Sequence, residues 1–229
     1  MRSCHSVDCS FGRLFSLWQN ALSALHNGGN AVKSAADCAD SSGSPYVSPT
    51  LSMPAAAQIN DPLIRENIAR AVTDVFKTML GREPQLTSIA GTDLENVSPT
   101  QSPLAGNPRP HVVGTVGFIG DANGLIYLYL ELAFARHCTC QLLGMTEAEL
   151  IEAGDEVMND AIGELTNMTV GSFKNGLCDA GYPCKLTIPS ILHGSNFTIE
   201  PISSVSRHIY NFDCGGHRII ADVLIKQEE

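Results

Sequence analysis

From Asn60 onward, apolar and polar positions follow two rhythms, and the switches between them mark the elements. Ile64, Ile68, Ala71, Val72, Val75, Phe76 and Met79 recur at the spacing of one helix face. Asn60 or Asp61 can cap this helix, Pro62 stands in its first turn where a missing N–H costs nothing, and Gly81 closes it. Residues 82–110 hold several prolines and a polar insertion, with Leu86–Ile89 as a short strand. Val112–Ile119 then alternates with a period of two, the run from Gly120 to Gly124 turns, and Leu125–Leu130 returns, which predicts a β-hairpin. Ala133–Leu143 reads as a helix ended by Gly144, and Thr146 with Glu149 forms a capping box before the next helical turn. One long helix follows, from about Asp155 to Gly176. Cys184–Ile188 and Phe197–Ile199 read as strands around Pro189, and Arg207–Cys214 with His217–Ile225 as a last hairpin across Gly215 and Gly216. Hairpins and long helices, with no βαβ units, predict an α+β domain: helices over a mainly antiparallel sheet.

The long helix interleaves two sets of residues. Val157, Ala161, Leu165 and Met168, with Met158, Ile162 and Thr169, suit a buried stripe. Asp160, Glu164 and Asn167 fall at i, i+4 and i+7. Seven residues come within roughly 20° of two full turns, so these three polar groups stack along one face. Gly163 and Gly171 would let other backbone approach closely. From spacing alone a solvated helix face is the preferred reading, because a Glu and an Asn three residues apart recur by chance in many helices.

Residues 1–58 differ from the remainder. A short amphipathic piece (Phe11, Leu14, Phe15, Trp18, Leu22, Leu25) precedes Gly28–Gln58, which is rich in Ser, Ala, Gly and Pro. That composition buries too little apolar surface to offset chain entropy, so it reads as a flexible linker joined to a domain over residues 59–229. Met53 leaves a later translation start open. The formal net charge of −10 argues against non-specific binding to nucleic acid or an anionic membrane. No run approaches the roughly 20 apolar residues of a membrane span, and Gly12, Arg13 and Gln19 break the early apolar stretch that a signal peptide would need. The eight cysteines lack paired metal-ligand spacing, so reduced thiols in a cytoplasmic protein are the expectation. A local disulfide between Cys178 and Cys184 stays open.

No P-loop, dinucleotide fingerprint, H-E-x-x-H or nucleophile elbow occurs, and the histidines are scattered. The segment around Asp160, Glu164 and Asn167, DAIGELTNMTVG, resembles the signature helix of the CheC/CheX/FliY family. These are phosphatases of phosphorylated response-regulator receiver domains in bacterial chemotaxis. The likeness extends to the first helix, the hairpin VVGTVGFIGDANGLIYLYL and the strands after PCKLTIPSIL, over roughly residues 59–227. CheC-type members carry the motif twice; here the first helix offers Pro62, Glu66 and Ala69 in that register, and Ala69 cannot orient a water. One intact copy resembles the CheX branch.

The resemblance implies a division of labour. Asn167 would orient the attacking water, Glu164 would pair with the receiver's lysine, and Asp160 would help docking at the periphery. It also implies no metal or cofactor of the chain's own, Mg²⁺ arriving with the receiver, and a homodimer sharing sheet edges. The alternative is a receiver-binding or flagellar-switch module of the same fold without hydrolysis.

Overall fold

The structure, a computed structural model, describes residues 59–90, 102–104, 107, 109–195 and 205–226. The expected linker and amphipathic piece before Gln58, and the expected strand Phe197–Ile199, lie outside these residues.

The first helix, α1 (Asp61–Leu80), starts where its caps dictate. The Asn60 side chain accepts a hydrogen bond from the Leu63 N–H at 3.0 Å, and Gly81 closes the helix in the left-handed region at φ 61°. Strand β1 (Gln85–Ala90) follows, then the hairpin β2 (His111–Gly120) and β3 (Gly124–Glu131). Helices α2 (Leu132–Leu143) and α3 (Glu147–Ala153) lead into α4 (Asp155–Asp179), the longest. Strands β4 (Cys184–Leu186) and β5 (Ser190–Gly194) precede the closing hairpin, β6 (Val205–Cys214) and β7 (His217–Lys226). The capping box before α3 is made in both directions: the Thr146 N–H donates to Glu149 and the Glu149 N–H donates to Thr146 Oγ1. Those bonds favour the ionised carboxylate and hold Glu149 below its ordinary pKa.

All strand pairs are antiparallel, in the order β1-β6-β7-β3-β2. The far edge of β2 is shared end to end: β4 pairs with Phe118–Gly120 and β5 with His111–Thr115. The strand expected over Cys184–Ile188 ends at Leu186, and β5 has no counterpart in the sequence pattern. The register explains the break. Leu186 opposes Phe118, whereas Ser190 opposes Thr115, so four steps along one chain match three along the other. One extra residue is inserted at Thr187–Pro189, and such an insertion bends the strand outward.

Side chains alternate across the sheet. Val112, Val116 and Phe118 point toward the helices and join Ile64, Phe76, Phe134, Ile162 and Phe173 in the main core. On the other face Val113, Tyr129, Ile209 and Ile220 gather with Leu104. That face also buries an ion pair, Arg207 Nε donating to Asp222 Oδ1 at 2.9 Å. The α+β architecture with helices on an antiparallel sheet is therefore as the periodicity predicts. Among the described residues, no helix is long and apolar enough to cross a membrane.

Candidate functional site

Helix α4 is held from three sides. Only Gly154, at φ 90°, separates it from α3, and that left-handed residue lets the chain break direction in one step. Asp155 and Glu156 occupy the first turn, where the helix dipole favours negative charge. Met158, Ala161, Ile162, Leu165, Thr169, Phe173 and Leu177 are buried. The two interior threonines satisfy their hydroxyls within the helix: Thr166 donates to the Ile162 carbonyl at 2.7 Å and Thr169 to the Leu165 carbonyl at 2.8 Å. Phe173 meets Phe118 of β2 with ring centroids 5.7 Å apart.

The close approaches are not where sequence reasoning puts them. A Cβ on Gly163 or Gly171 would meet only Ile191 or Leu186 at ordinary contact distance, 3.9 and 3.8 Å. The tight positions are Gly176, where a Cβ would collide with Asn67 and Arg70 of α1, and Gly114 of β2, where it would collide with Thr166. Gly163 and Gly171 lie instead against the side chains of the β4–β5 edge.

Asp160, Glu164 and Asn167 all lie on the helix face turned away from the core. Asp160 is exposed, and Glu164 and Asn167 are half-buried. Gly163 and Gly171 bracket the latter two along the helix. The face thus offers a carboxylate and a carboxamide on a rigid, well-packed support, with a second carboxylate a turn earlier. A carboxylate can pair with a cation or accept hydrogen bonds; a carboxamide can do both jobs of donor and acceptor for a bound water. On α1, Glu66 is exposed and Ala69 packs against the core, so no second carboxylate–carboxamide pair occurs in that register. No group of three or more His, Cys, Asp or Glu suited to a metal ion occurs among the described residues.

Two features of the adjoining β4–β5 edge carry no signal in the sequence. His193 of β5, one of the scattered histidines, makes a 2.6 Å hydrogen bond with Asn159 Oδ1, one turn before Gly163. Ile188, at the bend between β4 and β5, is 87% exposed. Neither has a local signature, because both depend on the register of β4 and β5 against β2.

This fold is shared with known proteins. The fold is that of the chemotaxis proteins built on a helix-covered antiparallel sheet. A CheX structure from Desulfovibrio desulfuricans superposes with a TM-score of 0.57 at 20% identity, covering 71% of this chain and 99% of that one. A CheC-like superfamily protein from Shewanella sp. PV-4 gives a TM-score of 0.58 at 23% identity, with 74% and 100% covered. The CheX–CheY–BeF₃–Mg²⁺ complex from Borrelia burgdorferi gives 0.56 at 20% identity, with 72% and 98% covered. The sequence description of the family "Chemotaxis phosphatase CheX" matches residues 112–213, from β2 through α4 into β6. Over residues 112–213 the chain is thus similar to the CheX phosphatases, and its fold is that of the CheX and CheC-like structures. No curated protein sequence matches it.

Proposed function

We propose that this protein removes the phosphoryl group from the aspartyl phosphate of a response-regulator receiver domain, using the outward face of α4. The observation that carries the proposal is the placement of Glu164 and Asn167 on a core-anchored helix, within the segment, residues 112–213, that matches the CheX phosphatase family. The Borrelia CheX relative was captured with CheY, BeF₃ and Mg²⁺, which gives the receiver-domain partner its precedent.

An aspartyl phosphate is an activated acyl phosphate, and the receiver supplies its own Mg²⁺ and lysine. What remains to be added is placement, since phosphoryl transfer depends chiefly on alignment and charge stabilisation. In this reading the Asn167 carboxamide accepts from and donates around one water, holding it in line with phosphorus. The water oxygen bonds to phosphorus, the bond from phosphorus to the receiver's carboxylate oxygen breaks, and inorganic phosphate and a free carboxylate leave. Glu164 pairs with the receiver lysine and fixes the docking, with no proton transfer required of it. Asp160 adds a carboxylate at the edge of the contact.

The test is to incubate the protein with a panel of phosphorylated receivers and measure phosphate loss against each receiver's own rate. Acceleration for at least one receiver is expected. Glu164→Lys should weaken docking at least tenfold, as a like charge replaces an opposite one beside the receiver lysine; unchanged affinity would remove the ion pair from the account. Binding to a phosphorylated receiver with no acceleration would instead mark a docking module of the same fold. We extend the reading to a homodimer joined at sheet edges, for which light scattering should return the mass of two chains; a single-chain mass at micromolar concentration would contradict it.

A further inference from the structure

We propose that the β4–β5 bend, led by Ile188, is an apolar anchor for the receiver domain that docks on Glu164 and Asn167. This inference rests on the receiver-phosphatase reading and adds the element that sets affinity for the partner.

Leu186, just before the bend, lies 3.8 Å from where a Cβ on Gly171 would stand, and Ile191, just after it, lies 3.9 Å from the corresponding point on Gly163. Those two glycines bracket Glu164 and Asn167, so the bend runs alongside the same two turns of α4. A helix segment of eight steps rises about 12 Å, a length five extended strand residues readily match. Leu186 opposes Phe118 and points to the helix side, whereas Thr187 points to the other face, where its Oγ1 accepts from the Gly117 N–H at 2.9 Å. Ile188 follows at the extra residue inserted before Ser190 resumes pairing with Thr115.

The bend is held, not loose. The Thr187 N–H donates to the Gly117 carbonyl at 2.9 Å, Pro189 fixes its own φ, and the His193–Asn159 hydrogen bond ties β5 to α4 beyond it. This support presents a large branched apolar side chain at 87% exposure, where it adds little to the buried core of the domain. Beside a polar pair, it is the arrangement of a docking surface: apolar contact supplies affinity, and the polar groups supply register and chemistry. The acidic helix face (Glu156, Asp160, Glu164) selects a partner that brings cationic groups, as a receiver does with its lysine and Mg²⁺. Ile188 is thus a specificity residue and takes no part in the chemistry.

The test uses the full chain and two readouts: affinity for a beryllofluoride-activated receiver, and steady-state dephosphorylation of the same receiver. Ile188→Ser should raise KM and the dissociation constant about tenfold, the effect expected from losing burial of one branched aliphatic side chain, with kcat unchanged. Ile188→Val should restore both. Ile119→Ser, a substitution of similar exposure (62%) on the opposite face of the sheet, should change neither. If wild type turns over and Ile188→Ser keeps its KM, this inference is overturned while the receiver-phosphatase reading stands. It is overturned equally if Ile188→Ser alters only the oligomeric mass, which would assign the bend to a second copy of the chain. A wild type that binds no receiver overturns both.

Discussion

Asn167 and Glu164 matter because of what surrounds them. Each sits on a helix whose opposite side is clamped by Met158, Ile162, Leu165 and Phe173, so the core fixes the helix that carries them. Glycines on the same helix separate internal packing from surface role. Gly176→Ala forces a Cβ into Asn67 and Arg70 and should destabilise the fold by about 1–3 kcal/mol, the usual cost of overpacking. Gly171→Ala meets only an ordinary contact with Leu186 and should be neutral or stabilising by up to about 1 kcal/mol, the helix-propensity gain. Chemical denaturation of the two variants checks both signs; equal destabilisation would show that Gly171 is also a packing residue. In the sequence, Gly163 and Gly171 look like the close approaches and nothing singles out Gly176. A glycine's neighbours come from other elements, and no local pattern names them.

At the scale of elements, boundaries are legible wherever the stop signal is chemical and local. Asn60 and Gly81 bound α1, the Thr146–Glu149 box starts α3, and the Gly215-Gly216 pair turns the last hairpin. The β4–β5 edge is not legible, because its bulge is a property of pairing with β2, and Pro189 reads simply as a break. The packing of α1 on β6 carries a pH dependence of its own. His208 of β6 is buried with Nε2 3.7 Å from Asp61 Oδ1 at the start of α1. Burial disfavours its imidazolium and outweighs the pull of Asp61, so the folded pKa lies below the ordinary value of 6.5. The unfolded chain then binds the proton more readily than the folded one. Stability from this group is complete above pH of about 6.5 and is lost as pH falls below it. Thermal unfolding should therefore show Tm declining from pH 7 to pH 5, with His208→Phe flattening the decline. A slope identical in the variant would show that His208 is not its source. His111, whose Nδ1 lies 2.7 Å from the Arg109 carbonyl, is also lowered, chiefly by burial, and adds to the same acid limb.

At the scale of the whole molecule, fold and candidate site are legible to different depths. Period-two and helical patterns are imposed by burial on one side of each element, so Val112–Ile119 and Ile64–Met79 announce themselves. The Asp160–Glu164–Asn167 file can be read as a face, but its spacing does not tell a solvated stripe from a working one; the role proposed for it rests on the motif's likeness to a family. What the fold adds is a scaffold in which the sheet and α1 fix α4 from behind while β4 and β5 run along its flank, leaving one polar face outward.

The most direct measurement is the decay of a phosphorylated receiver in the presence of wild type and of Asn167→Ala, with affinity for the beryllofluoride-activated receiver read in parallel. The account predicts that Asn167→Ala binds within about twofold of wild type, retains its fold, and loses the acceleration by at least about a hundredfold, the scale on which a positioned group contributes. Undiminished acceleration by Asn167→Ala, with binding intact, would contradict the central claim.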